Sequence, residues 1–195
     1  MGAGHSAAKT ALRDQVLAAR RRRPLEACTA FAASVAEVAR SWEPVRHAGT
    51  VAAYVSVGSE PGTGHLLDAL LAAGTRVLLP VLRPDNDLDW AVHTGEHGLV
   101  RAARGLYEPA GPRLGVDGVR TADVVIVPGL AVSPTGDRLG RGGGSYDRAL
   151  ARVPAGTPVA VLLHDDEVGL AVPTDPHDVP VGFALTSSGV VRLTR

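Results

Sequence analysis

Between residues 50 and 82 the chain passes from an apolar, β-branched stretch (50–57) through a glycine-bearing loop (58–64) into a run where Leu66, Leu67, Leu70 and Leu71 recur at helical spacing. Gly74 closes that run, and a second apolar stretch follows at 76–82. A strand, a helix and a strand joined by such short connections form a βαβ unit with parallel strands, which helices must cover on both faces. The rest of the chain extends the pattern. Residues 88–93 suit a further strand near an edge, and 123–132 a buried central strand that stops at Pro128-Gly129. A helix is expected at 145–152, a buried strand at 157–163, and a terminal strand or hairpin at 181–193. Residues 95–118, rich in Gly and Pro, read as mostly loop. Ahead of all this, residues 6–41 carry apolar residues at helical spacing, divided at Pro24 into two helices. The expected fold is therefore α/β: a three-layer, doubly wound, mostly parallel sheet with helices on both faces and an N-terminal helical pair. The whole chain, residues 1–195, reads as one domain.

Composition narrows the function classes. Hydrophobic residues make up 45% of the chain but aromatics only 4%, so the core must come from Ala, Val and Leu in close helix-on-sheet packing. Twenty basic residues balance twenty acidic ones, which removes the basic excess of a general nucleic-acid binder. Cys28 is the only cysteine, so neither an intrachain disulfide nor a Cys-cluster zinc site can form. A small core residue is its expected role. No apolar run reaches the length of a membrane span, and residues 1–14 lack the apolar core of a secretion signal. The expectation is a cytoplasmic protein that engages neither membrane nor nucleic acid.

The segment with most chemical content lies between a buried strand and a helix: Gly136-Asp137-Arg138-Leu139-Gly140-Arg141-Gly142-Gly143-Gly144-Ser145-Tyr146-Asp147. Glycines let successive backbone N–H groups turn into a concave anion nest, and Arg138 and Arg141 stand beside it. The loop is not a Walker A motif, because no Gly-Lys-Ser/Thr follows. Nor is it a dinucleotide fingerprint, because Ser145 occupies the third glycine's place. A polyphosphate is its natural ligand.

Lys9 is the single lysine, the other basic residues all being arginine. A compact ammonium binds phosphate as a point charge, and Arg13 at i+4 puts a second cation on the same helix face. A solvated surface lysine fits the same sequence. Asp147 opens the helix after the glycine loop, and Asp178 lies in Pro176-His177-Asp178. Magnesium takes one or two carboxylates plus phosphates, so this pair would suffice for it. A first-turn helix carboxylate explains Asp147 equally well. Glu60 follows a strand, where sites of open α/β sheets gather. His164-Asp165 and His177-Asp178 match no catalytic zinc spacing.

Taken together, these blocks resemble the 5-formyltetrahydrofolate cyclo-ligase family, and the similarity runs over nearly the whole chain. It is carried by residues 9–13, 54–60, 77–81 and 88–90, by Gly-Leu-Tyr-Glu-Pro at 105–109, by 123–150 and 159–167, and by Pro-His-Asp at 176–178. The Asp-Arg-Leu-Gly-Arg-Gly-Gly-Gly-Ser-Tyr-Asp-Arg block is its most specific part. The resemblance implies ATP- and Mg²⁺-dependent conversion of 5-formyltetrahydrofolate to 5,10-methenyltetrahydrofolate with release of ADP and phosphate. It assigns Lys9, Arg13, Arg138, Leu139, Gly140, Arg141, Gly142, Gly143, Gly144, Ser145 and Tyr146 to ATP, and Asp147 and Asp178 to magnesium. Val55, Glu60, Arg141, Gly142, Gly143, Gly144 and Ser145 fall to the folate, and Arg141 and Tyr146 to the chemical step. A monomer or weak homodimer is expected. Two departures stand out: Ser145 where the family commonly has a first tyrosine, and Glu167 where many members have glutamine. Their expected cost is reduced folate stacking. The alternative is a non-catalytic nucleotide- or folate-binding homologue with a regulatory role.

Overall fold

The computed structural model describes residues 2–194. Helix α1 (Gly2–Arg21) and helix α2 (Leu25–Ser41) are separated at Pro24, whose φ of −60° and ψ of 145° place it outside both. A residue without an N–H and with a fixed φ is well suited to that junction. A short α3 (Glu43–His47) follows. Then come β1 (Thr50–Ala52), α4 (Gly64–Ala72), β2 (Arg76–Leu82) and β3 (Leu88–Val92), followed by β4 (Leu99–Arg101), β5 (Tyr107–Pro109), β6 (Val124–Pro128), β7 (Ala131–Val132) and β8 (Arg138–Leu139). The chain ends with α5 (Ser145–Leu150), β9 (Val159–Leu162), β10 (Phe183–Leu185) and β11 (Val190–Arg192).

Seven strands form one sheet in the order β11-β10-β9-β6-β1-β2-β3. The five inner strands run parallel, and β3 and β11 close the two edges antiparallel. β6 is central and β3 is an edge, as their apolar content predicts. From β1 the chain first builds outward through β2 to β3, then returns to lay β6 on the other side of β1 and continues to β9 and β10. The order therefore reverses between β1 and β6. At such a switch point the loops leaving adjacent strands diverge and open a crevice at the carboxyl ends.

Each face of the sheet is covered. On one, Phe31, Val35 and Ala39 of α2, Val45 of α3 and Leu66, Leu67 and Leu70 of α4 pack on Val51, Val77, Leu79, Val124 and Ile126. On the other, Ala149 and Leu150 of α5 join Trp90 and Val119 over Leu78, Val125, Val127 and Val161. Leu66 and Leu70 are fully buried, so truncating either to alanine costs about 2–5 kcal/mol. The N-terminal helical pair is present, but its members separate. α2 belongs to the core layer, whereas α1 sets Val16 against Leu130, Ala131 and Leu139.

Two expectations change in extent. The strand read over 50–57 leaves the sheet after Ala52, because Ser56 and Thr63 exchange N–H to hydroxyl bonds of 2.9 and 3.1 Å that fold residues 56–63 into a closed loop. The loop read over 95–118 contains the β4–β5 ribbon, which is held to the sheet where the Leu82 N–H donates to Glu108 Oε1 at 2.9 Å. Strands of three residues with Val100 and Tyr107 exposed carry no apolar alternation to read.

Candidate active site

A cleft of about 440 Å³ opens at the switch point. Small-molecule sites run from roughly 300 to 1,000 Å³, so it is of ligand size. Tyr54, Val55, Val57 and Glu60 line it from the loop after β1, and Pro128 and Gly129 from the end of β6. The β4–β5 ribbon closes it with Leu106, Tyr107 and Glu108. Gly129 is required by space rather than by φ: a Cβ there would lie 2.5 Å from Val161 Cγ2.

The glycine loop forms the remaining wall. It is launched by the β7–β8 hairpin, whose turn is tied by Asp137: Ser133 Oγ and Thr135 Oγ1 donate to Asp137 Oδ2 at 2.8 and 2.6 Å. Gly142 and Gly144 have φ of +96° and +67°, values that glycine reaches without strain. Among the described residues no protein acceptor takes the N–H groups of Arg141, Gly142, Gly143 or Gly144. α5 is six residues long, so its own dipole is small and the loop amides carry the attraction for an anion.

The charged residues around this wall are paired. Arg138, nearly buried, donates from Nη2 to Asp147 Oδ1 at 2.9 Å and from Nη1 to the Pro128 carbonyl at 3.2 Å. Its guanidinium carbon lies 5.9 Å from the centre of the Tyr146 ring, a cation–π contact. Glu60 reaches across the cleft: its Oε1 lies 3.1 Å from Arg141 Nε, and its Oε2 accepts the Val57 N–H at 2.9 Å. Burial, reinforced by the charge of Glu60, pushes the Tyr146 phenol well above its usual pKa and keeps it protonated.

α1 presents Lys9, Arg13, Val16 and Arg20 on one stripe, and each makes a contact with the body of the protein. The Lys9 ammonium donates to Asp175 Oδ2 at 2.7 Å and to Asp178 Oδ2 at 2.5 Å. Burial disfavours its charge, but the two carboxylates outweigh this and hold its pKa above the usual value. Arg13 Nε donates to the Gly140 carbonyl at 2.9 Å. Arg20 is fully buried and grips Glu167 through two bonds of 2.7 and 2.6 Å, while donating to the Gly129 carbonyl at 2.8 Å.

The structure thus gathers Val55, Glu60, Arg138, Gly140, Arg141, Gly142, Gly143, Gly144, Ser145, Tyr146 and Asp147 around one cleft. Lys9, Arg13, Leu139 and Asp178 lie outside its lining. Leu139 is buried under α1, and Lys9 and Asp178 are paired with each other. Among the described residues the one group of three potential metal donors is Asp175, His177 and Asp178. Asp147 is not part of it. Glu167 also lies outside the lining, so the departure from glutamine acts on Arg20 rather than on folate stacking. Sequence reasoning missed Arg20, Tyr54 and Glu108. Arg20 was within reach, since it continues the stripe of Lys9, Arg13 and Val16 by four residues.

Fold and cleft define an α/β enzyme with a ligand-sized cleft at the switch point of a mostly parallel sheet, walled on one side by a glycine loop. The chain belongs to the 5-formyltetrahydrofolate cyclo-ligase family, whose model matches residues 5–187. It is 43% identical over 193 residues to the 5-formyltetrahydrofolate cyclo-ligase of Mycolicibacterium smegmatis, covering 95% of this chain and 97% of that one. It is 33% identical over 153 residues to the Escherichia coli K12 enzyme of the same name, covering 77% and 84%. Among solved structures, 5,10-methenyltetrahydrofolate synthetase from Aquifex aeolicus superposes with a TM-score of 0.82 at 27% identity, covering 96% of this chain and 93% of that one. No described helix is long and apolar enough to cross a membrane.

Proposed function

We propose that this chain is an ATP-dependent ligase that converts 5-formyltetrahydrofolate to 5,10-methenyltetrahydrofolate with release of ADP and phosphate. The observation that carries this reading is the row of unpaired loop amides from Arg141 to Gly144, which shares one cleft with Arg138, Arg141, Glu60 and Tyr146. A formyl oxygen on nitrogen is a poor leaving group. Transfer of the γ-phosphoryl group of ATP to that oxygen makes an imidate-like phosphate. N10 then attacks the formyl carbon and loses its proton, and the oxygen departs within phosphate as the ring closes.

Such a transfer needs positioning and charge neutralisation more than covalent help from the protein. The amides of Gly142, Gly143 and Gly144 would hold phosphoryl oxygens, with Arg138 and Arg141 meeting the charge that builds on them. Arg13, bonded to Gly140 from outside, holds the loop in shape. Val55 would contact the folate ring, and Glu60 would accept its N–H groups once Arg141 turns to the phosphate. Tyr146, kept protonated, would donate near the formyl oxygen.

Carboxylate oxygens are the donors magnesium prefers, and Asp147 lies on the cleft wall beside the loop. Asp147 and Asp178 would hold the ion, Asp178 on release from Lys9, and magnesium would supply neutralisation of the phosphate charge. The test is direct: the purified protein is mixed with 5-formyltetrahydrofolate and Mg²⁺, with and without ATP. Methenylfolate absorbance that grows only with ATP is expected. Binding of both substrates without turnover would favour the non-catalytic alternative.

A further inference from the structure

Tyr54 stands two residues past β1, with its ring among the core residues of the α2 and α4 face. The residue is 3% exposed and lines the cleft, yet among the described residues its hydroxyl has no hydrogen-bond partner. Among the described residues it is the only tyrosine hydroxyl of the cleft lining that is both buried and without a partner. Burying a hydroxyl without a partner is unfavourable, and proteins retain such groups chiefly where something else completes the bond. The groups whose charge acts on it are Glu60 and Tyr146 of the cleft wall and the buried Arg20 and Glu167 pair beside Gly129, so the hydroxyl lies in the polar region where the cleft meets that pair. Burial raises its pKa and Glu60 pushes the same way, so the group stays protonated and can donate.

We propose that Tyr54 is a specificity-determining residue whose hydroxyl donates to the ring carbonyl of the pterin head, beside Glu60. The proposal rests on the folate reading of the cleft. The recognition edge of a 4-oxopterin carries an amino N–H, a ring N–H and a carbonyl oxygen in a row: two donors and one acceptor. A carboxylate matches the two donors, since each oxygen of Glu60 keeps a lone pair beyond its present bond. The carbonyl then needs a neutral donor close to that carboxylate. A 4-aminopterin offers no acceptor at that place, so the same hydroxyl sorts 4-oxo from 4-amino rings.

Tyr54→Phe removes one oxygen and nothing else. Equilibrium binding of 5-formyltetrahydrofolate and of a 4-amino folate analogue is measured on the wild-type and variant chains, with the KM for ATP and the thermal midpoint of the free protein. The variant is expected to bind 5-formyltetrahydrofolate about tenfold more weakly. It should bind the 4-amino analogue as the wild type does, keep its KM for ATP, and melt no lower than the wild type. Unchanged affinity for the 4-oxo ligand, or an equal loss for both ligands, overturns the proposal. So does a lower midpoint with unchanged binding, which would mean that the hydroxyl's partner is in the protein. An active wild type with an indistinguishable variant defeats the Tyr54 assignment alone, whereas a wild type that binds no folate defeats the functional reading along with it.

Discussion

Glu167→Ala should be among the most damaging single changes outside the cleft. The carboxylate it removes is 3% exposed and meets Arg20, whose side chain is fully buried, through two bonds of 2.7 and 2.6 Å. The same carboxylate accepts the His164 N–H at 3.0 Å. Its loss leaves a guanidinium buried with only the Gly129 carbonyl, and breaking one partner of such a pair costs about 3–5 kcal/mol. At about 2–4 °C per kcal/mol for a chain of this size, the midpoint should fall by roughly 6–20 °C. Glu167→Gln keeps the shape and one acceptor oxygen, so it gives up one of the two bonds to Arg20 along with the charge, and should lose less than alanine. Replacing both partners, Arg20→Met with Glu167→Leu, should recover most of the loss, because no buried charge is then left unpaired. Thermal and urea unfolding of the wild type, Glu167→Ala, Glu167→Gln and the double variant measure these differences. At a temperature where all are folded, Glu167→Gln should raise the KM for ATP, since Arg20 and Arg13 share α1, and leave the KM for folate unchanged. A Glu167→Ala protein within about 1 kcal/mol of wild type, or a folate KM that moves while that for ATP does not, would refute this account.

Asp147→Asn should lower kcat by about 100-fold or more while binding of folate persists, since the charge lost lies where phosphate charge develops; unchanged turnover would sink the assignment of Asp147 to magnesium. Gly142→Ala forces an L-residue to a φ of +96°, so the loop should lose about 1–2 kcal/mol of local stability and the KM for ATP should rise, as read by kinetics on the folded variant. Burial first, then the charges of Arg23 and Arg20, holds the His164 pKa at about 4. Between that value and the ordinary 6.5 the unfolded chain binds the extra proton, so stability should fall as pH drops through this window, by up to about 3 kcal/mol. His164→Gln should flatten that part of the denaturation profile, and an unchanged slope would contradict it.

Much of the cleft was legible because its parts are local. A loop built around Gly142 and Gly144 announces itself, since glycine is what reaches positive φ at no cost. Arg138, Arg141, Ser145 and Tyr146 travel with it within nine residues. Glu60 was legible for a similar reason, as a charged residue just after a strand. The β4–β5 ribbon was not, because its three-residue strands have no period to detect. The departure at Glu167 was expected to cost folate stacking, whereas its carboxylate pairs with Arg20, 147 residues away.

The sequence by itself determined the succession of the main-sheet strands, the break at Pro24, the central place of β6 and the glycine loop. Those features follow from side-chain period and backbone freedom, which act over a few residues. Only the tertiary structure decided which charges meet: Lys9 with Asp175 and Asp178, Arg138 with Asp147, Arg20 with Glu167 and Arg141 with Glu60. The reversal of strand order between β1 and β6 brings loops from distant parts of the chain to one end of the sheet, and α1 is laid across them. Ion pairs formed in that way depend on the topology of the whole sheet, and no local pattern encodes them.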